Sequence, residues 1–305
     1  MIILSEHFKA VEKHADFPAK AIADIEKSAS LIDSDAELNE KFSAIVTGYM
    51  ADPTQSLAAD ILPRVEALET YGIHKYTLDL IFIMACSEIL HGRYKEAGIP
   101  DEIFWQFTVD FRCKLIECMD CKGITGTFVA DWNDLFFTME RFALGRFQFE
   151  HFEIGKDCTL SSGRVIKQGT KCLNMHIPSM GVPLTDEIRM DSYKKAYEFF
   201  ADRRTEDGNL LIHCGSWLLF PKHKEFLDAN SNILRFDNDF QLYEYEEREV
   251  FKDAWRIWGH YADLPLEQRP ADTKLRKAFK TWMMAGNNTG YGRGFIVFDG
   301  EKIIE

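Results

Sequence analysis

Apolar residues recur at helical spacing through the first 120 residues of the chain. In "DSDAELNEKFSAIVTGYM" they form one stripe behind a cap at Ser34 or Asp33. "TQSLAADILPRVEALETYG" repeats the pattern, with Pro63 inside it predicting a kink or break and Gly72 the stop. "TLDLIFIMACSEILHGRYKEAG" is apolar on nearly every side, which marks a central buried helix. "PDEIFWQFTVDFRCKLIECMDCKG" places Pro100 near a first turn and Gly123 at the close.

The period changes after "GITGTFVADWND". "RFALGRFQFEHFEI" and "GTKCLNMHI" are aromatic and β-branched runs of the kind that form strands. A helix is predicted over about 185–202, capped by Thr185, then a strand in "NLLIHCGSW" and a short helix after Pro221. "NILRF" and "FQLYEY" read as a further strand pair. A helix over roughly 272–285 leads into "GYGRGFIVFDGEKII", where Asp299-Gly300 is a hairpin turn. The predicted class is α+β: a helical domain over 1–140, then a mixed-sheet domain over 141–305.

Composition narrows the function. With 305 residues, 46% hydrophobic and 28% charged, the chain is that of a soluble globular protein with room for two cores. A net charge of -13 argues against nucleic acid, whose binding rests on Lys and Arg neutralising phosphates. The longest apolar run, "LIFIMAC", is far short of a bilayer span, so no membrane partner is expected. The N-terminal stretch lacks a secretory pattern, which points to the cytoplasm and to free thiols among the seven cysteines. Cys118 and Cys121 form a C-x-x-C without a second pair, so no metal is expected.

Three stretches carry candidate chemistry. "NNTGYGRG" has the glycines of a phosphate loop, yet it opens a strand rather than a helix and reads mainly as a flexible turn, with a substrate-side loop as the alternative. "LLIHCGSWLLF" sets His213, Cys214 and Ser216 at a strand end, where a Cys or Ser nucleophile needs a neighbouring base such as His176. The third is "NMHIPSMGVPLTDEIRMD", a strand that turns at once into a helix, leaving backbone N–H groups directed at open space.

"HIPSMGVPLT", "CGSWLL" and "SNILRF", together with "LGRFQFE", resemble the bacterial acyltransferase-domain proteins that join a helical N-terminal domain to a GNAT-like C-terminal domain. The resemblance implies that two parallel strands splay apart and that acyl-CoA or acetyl-CoA lies in the wedge as co-substrate. Its pyrophosphate would rest on the loop and helix after the first splayed strand, on Ser179, Gly181, Val182, Leu184 and Thr185, with Trp217 past the end of the second. An amine, on a small molecule or a peptide, would attack the thioester directly. His176 is then the candidate base, and Ser216 or Cys214 the proton donor to the departing sulfur. Two other outcomes stay open: a Cys-dependent acyl-enzyme route through Cys214 with His176 or His213, and a fold that binds CoA without turnover. The chain departs from the family pattern at Gly181, which lacks the second glycine often beside it, and at Gly215, where a polar residue is common. The oligomeric state is not legible.

Overall fold

The computed structural model describes residues 4–305 and separates the chain into two compact units, Met1–Ala143 and Leu144–Glu305. The first unit is helical: α1 (Glu6–His14), α2 (Ala19–Ser34), α3 (Ala36–Ala51), α4 (Leu62–Glu66), α5 (Lys75–Glu96), α6 (Asp101–Lys122) and α7 (Asp134–Phe137). As its all-round apolar sequence requires, α5 is the centre, with every residue from Thr77 to Ser87 buried and α1, α2, α3, α4 and α6 against it. Each large aliphatic or aromatic side chain so buried contributes about 1.5–3 kcal/mol. Pro63 does interrupt its helix: a π-turn at Leu57–Ile61 precedes α4, a 3-10 turn at Ala67–Tyr71 follows, and Gly72 stops it at φ +87°. The cap of α3 is Asp35, whose carboxylate accepts from Leu38 N at 3.0 Å, and not Ser34 or Asp33; Ser34 is still the last residue of α2.

Strand β1 (Arg141–Leu144) falls at the boundary of the units, and the second carries β2 (Phe147–Glu153), β5 (Lys171–His176), β6 (Leu210–Ser216), β7 (Gln241–Arg248) and β8 (Thr289–Phe298), the sheet order being β1-β2-β5-β6-β8-β7. A small hairpin, β3 (Cys158–Thr159) with β4 (Val165–Ile166), was invisible to a pattern reading because each strand is two residues long. Its Cys158, Leu160 and Ile166 cover one sheet face over Cys172, Leu211, Phe295 and Val297. Helix α8 (Asp186–Phe199), capped by Thr185, follows β5, and its Tyr193 stacks on Phe147 of β2 and meets Phe298 of β8. The fold class is α+β, as the sequence predicts.

Two expectations fail here. "NILRF" is not a strand but helix α9 (Asn232–Asp237), with Ser231 accepting from Leu234 N. Its Ser cap, followed by Leu234 and Phe236 as the buried residues, outweighs its β-branched content. "TGYGRG" is not a flexible turn or a substrate loop but the start of β8. A Cβ at Gly290 would lie 2.2 Å from the Phe220 ring, and one at Gly292 2.0 Å from the Leu219 carbonyl oxygen. The glycines let the segment after β6 lie flat on β8. Between β7 and β8 the chain adds α10 (Trp255–Trp258) and α11 (Lys274–Met284), the latter capped by Thr273. Among the described residues, no helix is long and apolar enough to cross a membrane.

Candidate active site

β5 and β6 are parallel neighbours, with Leu173 opposite Ile212 and Asn174 opposite His213. Pairing ends there, although β5 runs on to His176 and β6 to Ser216. Toward their C-terminal ends the two strands share no further pairing.

Side chains alternate along each strand, so Asn174, His176 and His213 share a face with Glu150, which stands opposite Asn174 on β2. Asn174 Nδ2 donates to Glu150 Oε1 at 2.8 Å, and Asn174 Oδ1 accepts from His213 Nδ1 at 2.9 Å. An amide oxygen only accepts, so the His213 proton sits on Nδ1, and Nε2 accepts from the Tyr243 hydroxyl at 3.1 Å. Burial, then the charges of Arg293 and His176, lowers His213 to about 4. Its ring stacks on Phe152 at 4.9 Å. His213 is thus a neutral, fully committed core histidine. His176 differs. Its Nε2 lies 3.0 Å from Glu150 Oε1 and 3.2 Å from the Asn174 amide nitrogen, so a carboxylate and an amide donor both orient the ring.

Cys214 and Ser216 point to the other face of the sheet, the side of α8. Burial pushes the Cys214 thiol far above its ordinary range. With His176 and His213 across the sheet, neither imidazole is placed as a base for Cys214, so the geometry of a Cys-dependent acyl-enzyme route through them is not assembled. Ser216 Oγ accepts from Leu218 N at 3.1 Å and starts the next turn. Trp217 packs on Phe251 and Phe279, each at 5.7 Å. Gly215 has a steric reason: a Cβ there would meet the Tyr291 hydroxyl at 2.8 Å. Tyr291 therefore lies across β6 past its last residue paired with β5, its hydroxyl raised to about 12, mainly by burial.

The loop after β5 is held from behind. Arg146, buried in the β1–β2 turn, donates to the Pro178 carbonyl at 2.7 Å and to the Val182 carbonyl at 3.4 Å. Arg189 of α8 donates to the Leu184 carbonyl at 2.6 Å and forms a two-point pair with Asp239, at 2.6 and 3.0 Å. Gly181 adopts φ +72°, a left-handed turn that side chains resist. With the carbonyls so occupied, the amides of Gly181, Val182 and Leu184 have no acceptor among the described residues. Ser179 Oγ accepts from Arg256 Nη1 at 3.4 Å, and Thr185 Oγ1 accepts from Ile188 N. Among the described residues no cluster of His, Cys, Asp or Glu could hold a metal ion.

The pattern reading missed Glu150, Asn174 as a bridge, Tyr243, Tyr291, Arg146 and Arg256. A signal existed for the first two: Glu150 in "FQFE" and Asn174 in "CLNMH" are polar positions on a strand face with apolar neighbours.

The chain matches the family model of the GNAT-like C-terminal domain over residues 142–296 and that of the N-acyltransferase N-terminal domain over residues 7–139. No curated protein matches it in sequence. Among solved structures it is similar to an acyltransferase mutant in complex with octanoyl-CoA, with 20% identity, a TM-score of 0.73, and 96% of this chain and 88% of that one covered. An acyltransferase in complex with decanoyl-CoA and teicoplanin is similar at 18% identity and a TM-score of 0.69, over 95% of this chain and 87% of that one. At such identities the likeness establishes a shared fold. With a family model over each unit, the chain belongs to the acyltransferase family that joins an N-acyltransferase N-terminal domain to a GNAT-like C-terminal domain.

Proposed function

We propose that the protein moves an acyl group from acyl-CoA to an amine by direct attack in the β5–β6 wedge. One observation supports this reading: the pairing of the parallel strands stops beside a loop whose amides at Gly181, Val182 and Leu184 lack acceptors among the described residues. A diphosphate satisfies those amides, and Gly181 at φ +72° turns the loop toward it. Asp186 and Glu187 in the first turn of α8 oppose the anion, so the loop and not the helix dipole supplies the attraction.

The thioester then lies between the parted strands. His176, oriented by Glu150, takes the proton of the attacking ammonium or amine, directly or through water, and a backbone N–H steadies the developing oxyanion. The departing thiolate is protonated by the Tyr291 hydroxyl, which lies over Gly215, or by Ser216. Cys214 is a packing group. A fold-neighbour holds decanoyl-CoA with teicoplanin, which supports an acceptor amine carried by a small molecule or glycopeptide.

Calorimetry with CoA tests the donor site, and absence of binding at millimolar CoA would end the transferase reading. For the chemistry, His176→Gln should lower turnover about 10²–10⁴-fold with partial recovery at high pH, where the amine deprotonates itself. Cys214→Ser should retain most activity. The reverse ranking, with an acyl adduct on Cys214, would overturn direct transfer.

A further inference from the structure

The end of the sheet beyond the β5–β6 pairing is also where the chain leaves the sheet for longest. β7 ends at Arg248 opposite Thr289, and residues 249–288 form α10, α11 and connecting 3-10 turns before β8 begins. One face of α11 presents Phe279 to Phe251, Ala254, Ile257 and Trp258, the core that also receives Trp217 from the end of β6. Another face of α11 stands against the segment 226–231, and between them lies a cavity of about 740 Å³. Phe226, Leu275, Ala278 and Trp282 give it apolar walls, the Phe226 and Trp282 rings stacked at 4.7 Å. Lys274 and Lys277 stand one turn apart on the rim. Neither has a carboxylate or hydrogen-bond partner among the described residues, whereas Lys222 and Lys224 pair with Glu247 and Asp237. The one carboxylate on the rim, Asp228, accepts from Asn230 N at 2.8 Å.

The cavity has a fixed relation to the loop after β5. Ser231, in its lining, caps α9, and the other end of α9 is tied to that loop. Arg189, which holds the Leu184 carbonyl, also donates to the Arg235 carbonyl and pairs with Asp239. The six residues of α9 rise about 9 Å. One short helix thus separates the amides of the proposed diphosphate site from the cavity.

We propose that this cavity seats the nucleotide end of the donor, the adenine against Trp282 and the 3′-phosphate between Lys274 and Lys277. The proposal rests on the wedge reading of the donor site. The aromatic surface of Trp282 suits a base, and two ammonium groups without carboxylate partners among the described residues suit a phosphate dianion. An apolar acyl chain uses neither lysine. The excursion between β7 and β8 is then a nucleotide clasp, and it makes the 3′-phosphate a determinant of affinity.

Calorimetry on the full chain with CoA, dephospho-CoA and adenosine 3′,5′-bisphosphate tests this. The wild type should bind CoA more tightly than dephospho-CoA and should bind the bisphosphate alone. Lys274→Ala/Lys277→Ala, two exposed positions, should weaken CoA roughly tenfold and leave dephospho-CoA unchanged. Equal CoA affinity in wild type and double variant overturns the proposal while leaving the transferase reading intact. Absence of CoA binding by the wild type overturns both. A Trp282→Ala variant that weakens octanoyl-CoA but not CoA assigns the cavity to the acyl chain, and the proposal falls.

Discussion

Replacing Arg189 with leucine tests the support beneath the proposed donor loop. Arg189 is 3% exposed, and its guanidinium meets both oxygens of Asp239, the Leu184 and Arg235 carbonyls, and Asp186 at 3.0 Å. In Arg189→Leu, Asp239 keeps the Tyr193 hydroxyl at 3.0 Å as a donor but loses its counter-charge in a site where its side chain is 13% exposed. Breaking one partner of such a buried pair costs about 3–5 kcal/mol. For a unit of this size each kcal/mol lowers Tm by about 2–4 °C, so a fall of roughly 6–20 °C is expected by scanning calorimetry. Arg189→Leu/Asp239→Leu should recover much of that loss, since an apolar pair carries no stranded charge. CoA affinity should fall in both variants, because each frees the Leu184 carbonyl. A fall below about 2 °C in the single variant would refute the reasoning, as would a double variant less stable than the single.

The glycines of β8 give a second expectation: Gly292→Ala, whose Cβ would sit 2.0 Å from the Leu219 carbonyl oxygen, should destabilise by about 1–3 kcal/mol or more in urea unfolding. Gly181→Ala meets nothing within 4 Å but must hold φ +72°, so it should cost only about 1–2 kcal/mol while weakening CoA binding. In the helical unit, burial raises Asp79 to about 8 and Glu12 to about 7, and Asp79 Oδ1 has no hydrogen-bond partner. Because the folded state binds protons the unfolded chain has released, stability should be greatest below about pH 4 for these groups and fall as pH rises toward 8. The slope from Asp79 approaches ~1.4 kcal/mol per pH unit. Asp79→Asn should flatten that profile in denaturant titrations at several pH values, and an unchanged profile would contradict it.

What the sequence made legible follows from range. Helix α5 is written in its own residues, since being apolar on every side leaves only the centre to occupy. Pro63, Gly72 and Gly123 act through local backbone chemistry, and each does what its residue type demands. Asp35 defeated the reading because Asp33, Ser34 and Asp35 are all competent caps, and only the packing of α2 against α3 chooses among them. The site was legible as far as "HIPSMGVPLT", where strand, turn and cap are contiguous. Glu150, His213 and Tyr243 are far apart in the chain, and only strand order brings them to one face. The same applies to Cys214: its neighbourhood in sequence includes His213, yet strand alternation sends the two to opposite sides. Gly215 was seen as a departure, and its cause, the Tyr291 ring, lies on another strand.

The short register between β5 and β6 also sets how the sheet can come apart. On one side, β1, β2 and β5 are hydrogen-bonded in succession, and on the other β6, β8 and β7 are. Were the seam of paired residues at 173–174 and 212–213 to loosen, each trio would keep its own ladder and act as a separate block. A molecule lying across the parted strands would bolt the blocks together. Amide exchange should then slow on saturation with CoA in β2 and β8 alike, on strands that border the seam from either side without forming it. Occupancy would then be part of the tertiary fabric, and exchange that slows on only one of the two strands would contradict it.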